Sequence, residues 1–201
     1  MMQNWRRIKR KKRNRPIDFV HVPKTGGTFV KHVLKQTNIG ETSKYGNAIK
    51  THTQRKNIHN INFTVIRHPV DRFESFLNFR LNEKRARTDW PKKLRKIYNK
   101  NNKNTSLDEI VAKMTKTDIL KFSPFKTITY YTKDVDIFIT IDKLEKFLHF
   151  FGYKVNVDAF KKQNVSPKTR GKFSDKTRQR IAKIYHEDML LYNKLKRKKL
   201  I

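Results

Sequence analysis

A chain of 201 residues is long enough for one domain with its own core and short for two. It carries 49 Lys and Arg against 17 Asp and Glu, a formal net charge of +32, and no cysteine, which excludes disulfides, zinc–thiolate sites and cysteine nucleophiles. The hydrophobic share is only 36%, but 14 Phe and 7 Tyr supply enough burial area for a globular fold.

Residues 1–16 open with a basic stretch, Trp5–Arg15 (WRRIKRKKRNR), that has almost no apolar content. It is expected to be a flexible arm, either a solubilising tail or a polyanion-binding patch, leaving 17–201 as the folded domain. Ile17–Val22 (IDFVHV) reads as a buried strand that Pro23 breaks into a turn, Lys24-Thr25-Gly26-Gly27-Thr28. A helix comes next, with Phe29, Val30, Val33 and Leu34 on one face, completing the first half of a βαβ unit. Asn38–Asn47 is polar and turn-rich, and Asn62–Ile66 (NFTVI) is a second strand closed by Arg67-His68-Pro69. Pro69 suits the first turn of a helix whose Phe73, Phe76, Leu77 and Leu81 share a face.

Glu83–Lys103 is strongly basic and reads as an exposed helix and loop, and Ser106 starts a helix with Leu107, Ile110, Val111 and Met114 as its stripe. Val135–Ile141 (VDIFITI) is a third strand. Asp142 is expected to cap a helix carrying Leu144, Phe147, Leu148 and Phe151, which stops at Gly152. After a polar loop over Asn164–Lys172, Ser174 caps a long terminal helix with Ile181, Ile184, Tyr185, Leu191 and Leu195 inward. This alternation predicts an α/β fold: a single three-layer domain around a central, mostly parallel sheet. Every apolar run is too short for a membrane span or a signal-peptide core, so a soluble, cytoplasmic chain is the default expectation.

The turn at Pro23–Thr28 has the chemistry of an anion cradle. Two adjacent glycines let backbone N–H groups approach an anion, and the helix N-terminus adds donors and the positive end of its dipole. Lys24 contributes a full charge, and Thr25 and Thr28 contribute hydroxyls. It is not a Walker A loop, since the lysine precedes the glycines, nor the G-x-G-x-x-G dinucleotide fingerprint.

HVPKTGGTF resembles the 5′-phosphosulfate-binding loop of the sulfotransferases that use 3′-phosphoadenosine-5′-phosphosulfate (PAPS), above all the glycan branch with its P-K-[TS]-G-x-T pattern. Arg67-His68-Pro69-Val70-Asp71-Arg72-Phe73-Glu74-Ser75 is similar to that family's 3′-phosphate motif, R-x-P-x-x-R-x-x-S. The resemblance implies a P-loop-like turn in which Pro23, Lys24, Thr25, Gly26, Gly27 and Thr28 hold the 5′-phosphosulfate. It implies that Arg67 and Ser75 hold the 3′-phosphate, as suits a guanidinium fork and a hydroxyl. Arg72 belongs to the pattern either as a ligand or as half of a helix-surface ion pair. Lys168-Thr169-Arg170-Gly171-Lys172 is similar to a basic loop that closes over the cofactor, which would add Lys168, Arg170 and Gly171, though an ordinary exposed loop reads the same way. Phe138–Phe151, and Asn164-Val165-Ser166 followed by Tyr185…Asp188…Tyr192, resemble the family's later segments more loosely.

The activity that the resemblance implies is sulfuryl transfer from PAPS to an acceptor hydroxyl, with 3′-phosphoadenosine-5′-phosphate (PAP) released. The acceptor is expected to be carbohydrate and possibly anionic, consistent with the basic charge. Lys24 is the expected partner of the leaving phosphate oxygen. Lys50-Thr51-His52 resembles the K-[TS]-H segment in which the histidine is the catalytic base, and Glu41 is the alternative, since part of the glycan branch uses a glutamate. No metal is expected. A P-loop-like nucleotide or small-molecule kinase is the alternative function, against which stand the missing Walker A and the absence of an obvious magnesium aspartate just after a strand. The net charge and the arm also admit a nucleic-acid-binding protein, but no recognised nucleic-acid motif is present.

Overall fold

The computed structural model describes residues 2–11, 16–36, 60–82, 105–121, 126–133, 135–163 and 171–201. Among them, a parallel sheet in the order β1-β2-β3 combines with helices, which places the chain in the α/β class. The strands are β1 (Ile17–Phe19), β2 (Ile61–Val65) and β3 (Ile137–Ile139). Ile17 pairs with Ile61 and Phe19 with Phe63; Phe63 in turn pairs with Ile137 and Val65 with Ile139. Single backbone bonds prolong the pairing, from Val20 N–H to Phe63 O (2.8 Å) and from Ile66 N–H to Ile139 O (2.9 Å). β1 and β3 are shorter than the apolar runs that predicted them.

The chain divides into two compact units: Met1–Arg67, Ile128–Val165 and Leu190–Ile201 form the first, and His68–Thr127 with Ser166–Met189 the second. In the first unit, Ile17, Phe19, Ile61, Phe63, Val65, Ile137 and Ile139 line one face of the sheet through the period-2 alternation of strand side chains. Against them pack Phe29, Val30, Val33 and Leu34 of α2 (Gly27–Gln36) and Leu144, Phe147 and Leu148 of α7 (Leu144–Phe150). Phe138 alternates to the other face, where it meets Val22, Ile66, Leu195 and, from α6 (Ile128–Tyr131), Ile128 and Tyr131. Asp18 also alternates to that face and accepts from Asn60 Nδ2 at 2.8 Å. Burial pushes its carboxyl above the usual range, and the Asn60 bond only partly opposes the shift.

The basic N-terminus corrects the expectation of a flexible arm over Met2–Lys11, which forms helix α1. Trp5 is 1% exposed and sits edge-on to Phe147 with ring centroids 5.4 Å apart, and 5.7 Å from Phe150. Ile8, one turn on, packs against the same core, while Arg6 and Arg7 face solvent. Two apolar residues at i, i+3 give the helix a narrow stripe, and the indole area outweighs the surrounding charge.

Asp142 also departs from expectation. A short 3₁₀ turn (Ile141–Lys143) precedes α7, with Thr140 as its extended N-cap, so Asp142 lies inside the turn. Its carboxylate is held below the usual range, first by a hydrogen bond from Thr140 and, against some burial, by the Asp142 backbone and Lys143. α7 ends as read from the sequence, near Gly152, which has φ +93°.

The second unit is helical. Val70, Phe73, Phe76 and Leu77 of α3 (Pro69–Asn82) share a core with Leu107, Ile110 and Val111 of α4 (Leu107–Ala112). Ile119 of α5 (Lys116–Lys121), Phe173, Ile181 of α8 (Asp175–Ile184) and Tyr185 complete it. Ser106 and Glu109 form a reciprocal capping box at α4, and Ser174 caps α8 by accepting from Thr177 N–H. The single terminal helix predicted from the sequence is two, because the chain leaves helical geometry at Tyr185 before α9 (His186–Arg197).

Candidate functional site

The three strands run parallel, so the segments after them leave the sheet at one edge. After β1 comes the Pro23–Gly26 turn, after β2 comes Arg67, and after β3 comes the Thr140–Lys143 turn. Ligands of open α/β sheets bind at this edge.

The β1 turn is tightly constrained. Lys24 has φ +65°, in the left-handed region that a side chain disfavours, and Gly26 has φ +100°. Thr25 is buried, and its hydroxyl donates to Val22 O at 2.9 Å, so that donor holds the turn together rather than facing outward. Gly26 O accepts the first helical bond, from Val30 N–H at 3.1 Å. The N–H groups of Gly27, Thr28 and Phe29 therefore have no acceptor within α2 and point toward its N-terminus. Gly26 and Thr28 are exposed, Lys24 is half-buried, and Pro23 and Gly27 are buried. A Cβ on Gly26 would lie 3.2 Å from Ile141 Cδ1, which brings the turn after β3 against the turn after β1. Nothing in the sequence signals that contact, since the two residues are joined only through the sheet.

Arg67, one residue beyond the last β2–β3 backbone bond, is exposed at the same edge of the first unit. Ser75 belongs to the second unit, half-buried on α3. Gly171, exposed and at φ +76°, is brought to the same helix: its carbonyl accepts from Asn78 Nδ2 at 3.5 Å, one turn beyond Ser75. Glu74 fixes the segment further by accepting from Phe173 N–H at 2.9 Å. Arg178 then ties α8 to α3 through Asp71 (2.7 Å) and Glu74 (3.6 Å). The carboxylates of Asp71 and Glu74 hold the Arg178 guanidinium above its ordinary range, Asp71 most strongly. The second motif thus carries two structural acids, Asp71 and Glu74, between Arg67 and Ser75. Of the remaining predicted residues, His52, Glu41, Lys168 and Arg170 lie outside the described residues.

Arg72 is not on a helix surface. It is 3% exposed, donates to Lys126 O at 3.0 Å, and lies 4.0 Å from Asp188, itself fully buried. This pairing joins the second motif to the terminal Tyr185…Asp188 pattern, two segments far apart in the chain. Removing one member of such a pair strands a buried charge. Asp188→Asn is expected to lower stability by about 3–5 kcal/mol, read by urea unfolding, whereas replacing both residues by apolar ones costs far less.

No family model, curated protein or solved structure matches this chain. Among the described residues, no helix is long and apolar enough to cross a membrane. Also among them, no group of three His, Cys, Asp or Glu is placed to hold a metal ion. Chemically, the edge offers backbone donors, a helix dipole, Lys24 and Arg67. These are suited to an anionic ligand, with Ile141 supplying an apolar surface alongside.

Proposed function

We propose that the protein is a PAPS-dependent sulfotransferase acting on an acceptor hydroxyl of a carbohydrate, with its phosphosulfate held in the P-loop-like turn Pro23–Thr28. The observation that carries this reading is the placement of the two motifs. Each directly succeeds one of two adjacent parallel strands, so Lys24 and Arg67 sit at one sheet edge. In the reaction, the acceptor oxygen attacks sulfur as the S–O bond to the 5′-phosphate breaks. The acceptor proton passes to a base, His52 or Glu41, and negative charge develops on the departing phosphate oxygen. Lys24 and the N–H groups of Gly27 and Thr28 stabilise that charge, and the turn holds the donor in line for attack. Arg67 and Ser75 bind the 3′-phosphate, which distinguishes PAPS from other adenine nucleotides, and Lys168, Arg170 and Gly171 belong to the basic loop over the cofactor.

Thermal unfolding with nucleotide tests this reading. PAP is expected to raise the melting temperature with magnesium absent, since ligand at a hundred times its Kd contributes about 2.7 kcal/mol. Stabilisation by Mg-ATP and none by PAP would instead indicate the kinase.

A further inference from the structure

We infer that His21 is the positioning residue of the anion turn, and that Gly27 is glycine because of the His21 ring rather than because a ligand must approach it. The inference rests on the anion-binding role proposed for the turn. A Cβ built on Gly27 would fall 1.9 Å from His21 Cδ2 and 2.1 Å from Nε2, far inside van der Waals contact. The imidazole therefore lies directly against the Cα of the first residue of α2. It is itself backed by Phe19, ring centroids 6.0 Å apart and planes inclined by 34°. β1 thus fixes the start of α2 through one flat side chain: Phe19 sets His21, and His21 sets Gly27. The N–H groups of Gly27 and Thr28 are the donors at that helix start, so the ring determines where they stand.

The two glycines differ in a way that can be tested. Gly26 needs its φ of +100°, which no alanine adopts comfortably, whatever space surrounds it. Gly27 has no such backbone requirement and lies within α2, where alanine is intrinsically the better residue. The nearest obstacle to it is the His21 ring. The effect of Gly27→Ala should therefore change sign with the residue at position 21.

The experiment is a double-mutant cycle on the full chain, with Gly27→Ala in the His21 and His21→Ala backgrounds, read by PAP affinity and by melting temperature. With His21 present, Gly27→Ala is expected to weaken PAP binding roughly tenfold or more and to lower the melting temperature. His21→Ala alone is expected to weaken PAP binding, because it releases the start of α2. In that background, Gly27→Ala is expected to raise the melting temperature and to shift PAP affinity by less than about threefold from that of His21→Ala alone. Equal effects in both backgrounds would overturn the inference, as would a sign change in melting temperature with PAP affinity unmoved, which would make His21 packing only. If the unsubstituted protein fails to bind PAP, the anion-site reading falls and the positioning role falls with it, while the melting temperatures still decide the contact.

Discussion

On the proposed mechanism, Lys24→Ala is expected to lower sulfuryl transfer on the order of a hundredfold or more, because the departing phosphate oxygen would lose the full charge that stabilises it. The fold should scarcely notice. Lys24 is only half-buried, in a turn held by the Thr25–Val22 hydrogen bond and the first bond of α2. Its backbone sharpens the test. At φ +65° a non-glycine residue carries strain of about 1–2 kcal/mol, which alanine retains and glycine relieves. The greater freedom of glycine in the unfolded chain offsets part of that gain. Lys24→Gly should therefore leave stability unchanged or raise it by up to about 1 kcal/mol, while losing as much activity as Lys24→Ala. Near-normal turnover in either variant would remove Lys24 from the mechanism.

Trp5→Ala is expected to cost about 3–5 kcal/mol, the range for deleting a large buried aromatic side chain. The indole is among the largest fully buried side chains described, against Phe147 and Phe150 of α7. α7 in turn packs on β2 through Phe147 and Phe63, whose centroids are 4.6 Å apart. The loss should therefore reach the sheet that positions the candidate site. Arg6→Gln and Arg7→Gln, on the exposed side of the same helix, are the controls and should stay within about 0.5 kcal/mol. Urea unfolding separates the two classes. A Trp5→Ala variant as stable as the arginine variants would mean that α1 contributes nothing to the core.

Local chemistry is legible in the sequence wherever a short-range rule decides the outcome. Ser106 with Glu109 and Ser174 with Thr177 form caps because the partners lie three residues apart. The β2 strand is readable from its run of β-branched and aromatic residues, and the α2 and α3 stripes from their spacing. Legibility fails where a distant partner decides. Trp5 and Ile8 have helical spacing, but the surrounding charge masks it, and the indole is buried against distant partners that include Phe147 and Phe150. Asp142 has the residue type of an N-cap, yet Thr140 takes that position and the 3₁₀ turn absorbs the aspartate. The Arg72–Asp188 pair shows the same limit, because an arginine in a phosphate-type motif gives no local sign that a buried carboxylate waits for it. A double glycine before a helix suggests close approach of a ligand, but the structure accounts for the pair through φ +100° at Gly26 and the His21 ring at Gly27.

The most direct measurement is a crystal structure of the complex with PAP, grown without magnesium. The 5′-phosphate is expected at the start of α2, within hydrogen-bond reach of Lys24 and the N–H groups of Gly27 and Thr28, and the 3′-phosphate on Arg67 and Ser75. A nucleotide bound away from both motifs, or no bound nucleotide at saturating PAP, would contradict it.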